Sequence, residues 1–127
     1  MSDTRRILIV EDTEDNRQIL RDLLTQAGFD LIEAHDGGAG VAMADEHKPD
    51  LILMDFQLPV LDGYEATRRI KANPATRDIP VIAVTSYALS GDEAKAMEVG
   101  CSGYIAKPFS PRKLLAKVRE FLPDASG

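Results

Sequence analysis

Short apolar runs alternating with stretches of helical periodicity constrain this chain more than any other feature of its sequence. Four runs are Ile7 to Val10, Leu51 to Met54, Val81 to Val84 and the shorter Tyr104-Ile105-Ala106; a fifth, Asp30 to Ala34, is more alternating. An unbroken run such as Leu51 to Met54, bounded by Pro49-Asp50 and Pro59, reads as a strand buried on both faces. Asp30 to Ala34 reads instead as a strand with one exposed side or edge. Between the runs, Ile19, Leu20, Leu23, Leu24 and Ala27 make one apolar helical stripe that Gly28 stops. Leu114, Leu115, Val118, Phe121 and Leu122 make another, opened by Ser110 as N-cap and Pro111 in the first turn. Asp62 with Glu65, and Ser90 with Glu93, have capping-box spacing and open two more helices, the second expected from Ser90 to Val99. A helix over Gly37 to His47 is opposed by Gly38 and Gly40. Strand and helix alternating in this way imply a parallel sheet with helices on both faces and right-handed crossovers.

The chain has 127 residues, enough for one domain with a sizeable core. Its net charge of −6 leaves no electrostatic footprint for nucleic acid or an anionic membrane. Cys101 is the single cysteine, which excludes an internal disulfide and fits a reducing cytoplasm. No apolar stretch approaches the ~20 residues of a membrane span, and the opening Met1 to Arg6 has no secretory pattern. There is no repeat and no linker, so residues 1–127 are expected to form a single domain.

Chemistry-bearing residues follow the apolar runs. The first run ends in Glu11-Asp12, the third in Asp55, the fourth in Thr85-Ser86 and the fifth in Lys107-Pro108. In a parallel sheet these ends share one edge, where ligands bind in folds of this class. Two carboxylates about 5 Å apart repel by about 3 kcal/mol at an effective dielectric of ~20. Three of them offset by one lysine invite a hard divalent cation, Mg²⁺ or Mn²⁺. With the cation in place, Asp55 can attack phosphorus to give an acyl phosphate, while Lys107, Thr85 and the metal hold the phosphoryl oxygens. His35 and His47 have no partner at ligand spacing and read as surface residues. Gly37-Gly38-Ala39-Gly40 lacks the Lys-Ser/Thr ending of a phosphate loop.

Together these segments resemble the receiver domain of two-component response regulators. The resemblance rests on Ile7 to Asp12, Leu51 to Asp55 with Leu58-Pro59 and Asp62-Gly63, Val84-Thr85-Ser86, and Tyr104 to Pro108, and it spans about residues 6–122. It implies a flavodoxin-like, doubly wound α/β fold: a five-stranded parallel sheet of order 2-1-3-4-5 with five helices. It implies that Asp55 accepts the phosphoryl group, that Glu11, Asp12, Asp55 and the Gln57 backbone carbonyl hold Mg²⁺, and that Lys107 contacts the phosphoryl group. Thr85 and Tyr104 match the switch pair, and the peptide bond before Pro108 is expected to be cis. Glu11 stands where Asp is frequent, which suggests a water-bridged metal contact. Tyr87 is bulky and is expected to screen the phosphoryl group from water.

The implied role is a signalling domain that is not an enzyme apart from its own phosphorylation and dephosphorylation. Its expected donors are a histidine kinase or a histidine phosphotransfer protein. A downstream protein is expected to dock on the face of the fourth helix, fifth strand and fifth helix, with the protein a monomer or weak dimer. The fourth helix is Ala-rich, which suits a loosely docked, moving element. No output domain follows Pro123 to Gly127, so a stand-alone receiver is expected. The alternative is a receiver excised from a hybrid histidine kinase, which Tyr64 to Ile70 also resembles. More distant readings fail on chemistry. Glu11-Asp12 would repel a flavin phosphate, and Gln57 cannot serve as the acid/base of an aspartyl-nucleophile phosphatase.

Overall fold

The apolar runs fold as strands and the stretches between them as helices. The computed structural model describes residues 5–56, 61–85, 92–107 and 109–122. In chain order the elements are β1 (Arg6–Val10), α1 (Glu14–Gln26), β2 (Asp30–Ala34), α2 (Gly37–His47), β3 (Leu51–Asp55), α3 (Gly63–Ala72), β4 (Val81–Thr85), α4 (Asp92–Glu98), β5 (Gly103–Ala106) and α5 (Pro111–Phe121). The strands form one parallel sheet in the order β2-β1-β3-β4-β5, as the resemblance implies.

Burial explains the composition of the strands. β3 and β4 are buried at every residue, and β1 at all but Arg6, because helices cover both faces of the sheet. On one face Leu8, Val10, Ile52 and Met54 pack with Ala44 of α2, Ala66 and Ile70 of α3, and Ala96 of α4. On the other, Ile7, Ile9, Leu51 and Leu53 pack with Leu20 and Leu24 of α1 and with Leu114 and Val118 of α5. Fully burying one such aliphatic side chain contributes roughly 1.5–3 kcal/mol, so the two half-cores hold the strand ends in fixed register. β2 is an edge strand and leaves Asp30 exposed, in line with its alternating sequence.

Most helix starts follow their caps. Asp62 Oδ1 accepts from the Glu65 amide at 2.9 Å, and Ser110 Oγ accepts from the Lys113 amide at 3.1 Å. Gly28, at φ +97°, ends α1 in a conformation that glycine adopts freely. Among the described residues α4 spans Asp92–Glu98, ending one residue before the expected Val99, and the expected start at Ser90 lies outside the described residues.

Two expectations need correction. Gly40 does not oppose α2; like Gly37, it lets the helix approach its neighbours. A Cβ on Gly37 would stand 2.0 Å from the Leu61 carbonyl oxygen, and one on Gly40 would stand 2.9 Å from Val10 Cγ2. Asp36 caps this helix by accepting from the Ala39 amide at 2.8 Å. The second correction concerns α1, where Ile19 is 58% exposed and the buried positions are Arg17, Leu20 and Leu24. Their i, i+3, i+7 spacing defines a stripe that includes a charged residue and leaves Ile19 on its flank.

Candidate functional site

The C-terminal ends of β1, β3, β4 and β5 meet at one edge of the sheet. Register sets their neighbourhood: Val10 pairs with Met54, Asp55 with Val84, and Thr85 with Ala106. Asp55 is therefore the last residue of β3, Thr85 the last of β4, and Glu11 follows β1 directly. The Glu11 amide still donates to the Ala34 carbonyl at 3.1 Å, which extends the sheet geometry into the site. The Lys107 amide donates to the Thr85 carbonyl at 2.7 Å and fixes where that lysine leaves β5. Gly63 brings the start of α3 against the end of β3, since a Cβ there would fall 2.6 Å from the Asp55 carbonyl oxygen.

Glu11, Asp12 and Asp55 converge as the strand-end rule requires. One carboxylate oxygen from each lies within 4.8 Å of the others; Glu11 and Asp55 are buried, and Asp12 is exposed. Lys107 Nζ bridges the two buried acids, 3.2 Å from Glu11 Oε1 and 3.3 Å from Asp55 Oδ2. The other Glu11 oxygen, Oε2, accepts from the Thr13 amide at 3.2 Å. Burial alone would lower the pKa of the Lys107 ammonium. The charges of Asp55 and Glu11 outweigh that effect and hold it above its ordinary 10.5, so Lys107 is a fixed cation.

Three carboxylates and one ammonium leave the pocket with a net formal charge of −2. An all-oxygen, divalently negative, partly open site fits a hard divalent ion that keeps some of its water. Thr85 is fully buried at the same edge. Tyr104 is half-buried on β5 and packs against the half-core of α2, α3 and α4. Gln57, Tyr87 and Pro108 lie outside the described residues.

Two features of the site are absent from the sequence reading. Arg17 of α1 is 5% exposed and donates from Nη1 to the Glu11 carbonyl at 2.8 Å. Its signal was available, since a charged residue at −3 and −7 from the buried Leu20 and Leu24 requires buried partners. The second feature is a cavity of about 440 Å³ beside Lys107, lined by Glu11, Asn16, Ile19, Leu20, Val84 and Phe109. It explains how Ile19 can be exposed yet lie beside the site.

The sequence and the fold are similar to those of known proteins. Residues 7–119 match the family model described as the response regulator receiver domain. The polar-differentiation response regulator DivK of Brucella ovis is 43% identical over 122 residues, covering 96% of this chain and 99% of that protein. Among solved structures, the receiver domain of the sensor histidine kinase PA1611 from Pseudomonas aeruginosa PAO1 has a magnesium ion coordinated in its active site cleft. It is 38% identical, with a TM-score of 0.88, covering 94% of this chain and 98% of that one. The chemotaxis protein CheY4 of Vibrio cholerae is 26% identical, with the same TM-score of 0.88, covering 93% of this chain and 98% of that one. With a parallel 2-1-3-4-5 sheet, an acidic cluster at its carboxyl edge and a family match over residues 7–119, the chain belongs to the response regulator receiver domain family.

Proposed function

We propose that this chain accepts a phosphoryl group on Asp55 from the phosphohistidine of a histidine kinase or phosphotransfer protein, and that it signals through protein contacts which depend on that modification. The observation that carries this reading is the placement of Asp55. It is a buried carboxylate at a strand end, joined to Lys107 at 3.3 Å and grouped with Glu11 and Asp12. A carboxylate with those neighbours is positioned for nucleophilic attack and is poorly suited to packing alone.

Glu11, Asp12 and Asp55 are the side chains that would hold Mg²⁺, with the Gln57 carbonyl as a further ligand. When bound, Mg²⁺ supplies charge neutralisation for the phosphoryl oxygens and for the clustered carboxylates. An Asp55 oxygen forms the new P–O bond as the donor's P–N bond breaks. The electron pair leaves with the imidazole nitrogen, which takes up a proton. Lys107 turns from the Asp55 carboxylate to a phosphoryl oxygen, and the Thr85 hydroxyl donates to another. Because the product is an acyl phosphate, it stores a signal until water reaches it, and Tyr87 limits that access.

Engagement of Thr85 draws Tyr104 inward and reshapes the face of α4, β5 and α5. Two features support this choice of face. Tyr104 is half-buried on an edge strand, and Ala96, a small side chain, is the buried position among the described side chains of α4. The apolar cavity beside Lys107 gives a phosphodonor protein a ledge next to the nucleophile. Among the described residues no helix is long and apolar enough to cross a membrane. We place the receiver in the cytoplasm, in keeping with its single cysteine, and take residues 1–127 as one domain, in keeping with the family match over residues 7–119.

A transfer assay from a phosphorylated histidine protein tests the reading. The expected product carries phosphate that alkaline hydroxylamine releases, the signature of an acyl phosphate. Label that survives hydroxylamine would place the modification on a hydroxyl or imidazole and overturn the assignment.

A further inference from the structure

We propose that Arg17 is the positioning residue of the acidic pocket, and that it acts by anchoring the main chain of Glu11. This inference rests on Glu11 belonging to the Mg²⁺ site. A glutamate reaches a metal through one more rotatable bond than an aspartate, so its carboxylate is placed only as well as its base is held. Here the base is held on both sides. The Glu11 amide donates to Ala34 at the end of β2, and its carbonyl accepts from Arg17 Nη1 at 2.8 Å. The carboxylate is then fixed at both ends, Oε2 by the Thr13 amide and Oε1 by Lys107.

Arg17 is itself immobilised. Its Nη2 pairs with Glu14, and its Nε lies 3.4 Å from Glu33 Oε1 on β2. Arg21 grips the same Glu33 with two contacts, at 2.7 Å and 2.8 Å. The result is a ladder, Arg21 to Glu33 to Arg17 to Glu11, that ties α1 and β2 to the turn carrying the metal-binding acids. Glu14 and Glu33 offset the guanidinium's charge, so its effect on the pocket comes from geometry. Only a planar fork makes these three contacts in three directions; an ammonium at the end of a lysine is a point donor. Residues that orient a metal's ligands typically change affinity or activity by roughly 10- to 100-fold when removed.

The test is Mg²⁺ affinity by calorimetry on Arg17→Met and Arg17→Lys, with Ile70→Val as a control for lost stability on the opposite face of the sheet. Phosphorylation by a small phosphodonor is followed against Mg²⁺ concentration in parallel. We expect Arg17→Met to weaken Mg²⁺ binding by about 10-fold, and its rate at saturating Mg²⁺ to stay within about 2-fold of wild type. Arg17→Lys should fall between the two, and Ile70→Val should bind as wild type does. If Arg17→Met does not fold, Arg17→Lys decides. A folded variant of either kind with wild-type Mg²⁺ affinity would show that Arg17 is a structural brace only. If the wild-type protein itself binds no Mg²⁺, the metal site fails, and that outcome is distinct from failure of the Arg17 inference.

Discussion

Replacing Lys107 by Met probes the electrostatic logic of the pocket, because it removes the charge and keeps most of the side chain's length. Lys107 Nζ lies 3.2 Å from Glu11 Oε1 and 3.3 Å from Asp55 Oδ2. At an effective dielectric of ~20, one contact of that length is a gross attraction of about 5 kcal/mol. Desolvation of three charged groups takes back much of it, and deleting one partner of a buried pair typically costs about 3–5 kcal/mol. The Lys107 side chain is 23% exposed, so solvent screens part of the interaction. The lower end, about 3 kcal/mol, is therefore expected.

Urea unfolding in the presence of a chelator measures the loss. Adding Mg²⁺ should then restore more stability to Lys107→Met than to wild type, because the pocket's formal charge changes from −2 to −3. Ligand linkage gives about 2.7 kcal/mol at 100 times the dissociation constant, enough to see the difference. The pH dependence has a definite sign. A cation whose folded pKa is raised contributes its full stability below its ordinary value and loses it as pH rises through the folded value. The gap between wild type and variant should thus persist up to its ordinary 10.5 and close above that. A variant within about 0.5 kcal/mol of wild type in chelator would refute the claim that Lys107 offsets two buried carboxylates.

Within α2, two neighbouring glycines should respond in opposite directions. Gly37→Ala drives a Cβ into the Leu61 carbonyl and should destabilise by about 1–3 kcal/mol or more. Gly38→Ala meets nothing closer than 3.4 Å and should stabilise by up to about 1 kcal/mol in thermal unfolding; equal signs would contradict the packing described. Asp36→Ala removes the cap on the Ala39 amide and should cost about 1 kcal/mol in urea unfolding, whereas Asp36→Asn should cost less. Cys101 is buried, and burial pushes its thiol up to about 11, so Ellman's reagent should label it at neutral pH only as fast as the molecule opens. Complete labelling of native protein within seconds would overturn that environment. Tyr87→Ala should lose its phosphoryl group faster than wild type, and a slower loss would remove Tyr87 as a shield.

The sheet was legible because three of its strands are near-continuous apolar runs, a pattern that only burial on both faces supports. Glu11, Asp12, Asp55, Thr85 and Lys107 were legible for a related reason. Each follows or ends a run, and a parallel sheet sends all such ends to one edge. What escaped depends on contacts distant in sequence. Gly37 and Gly40 count against a helix by propensity, yet they are required by Leu61 and Val10, which no local window contains. Ile19 was counted into the buried stripe of α1 because periodicity scores apolar side chains alone. It thereby overlooked Arg17, whose guanidinium is buried because Glu14, Glu33 and the Glu11 carbonyl satisfy it.

The central claim is that Asp55 is the residue that takes up phosphate. Its most direct test is the intact mass of the protein after incubation with a small phosphodonor and Mg²⁺, beside Asp55→Asn treated in the same way. A single phosphoryl adduct on wild type, absent from Asp55→Asn and from a sample in chelator, is the predicted result. An adduct of equal yield on Asp55→Asn, or no adduct on wild type at saturating donor and Mg²⁺, would contradict it.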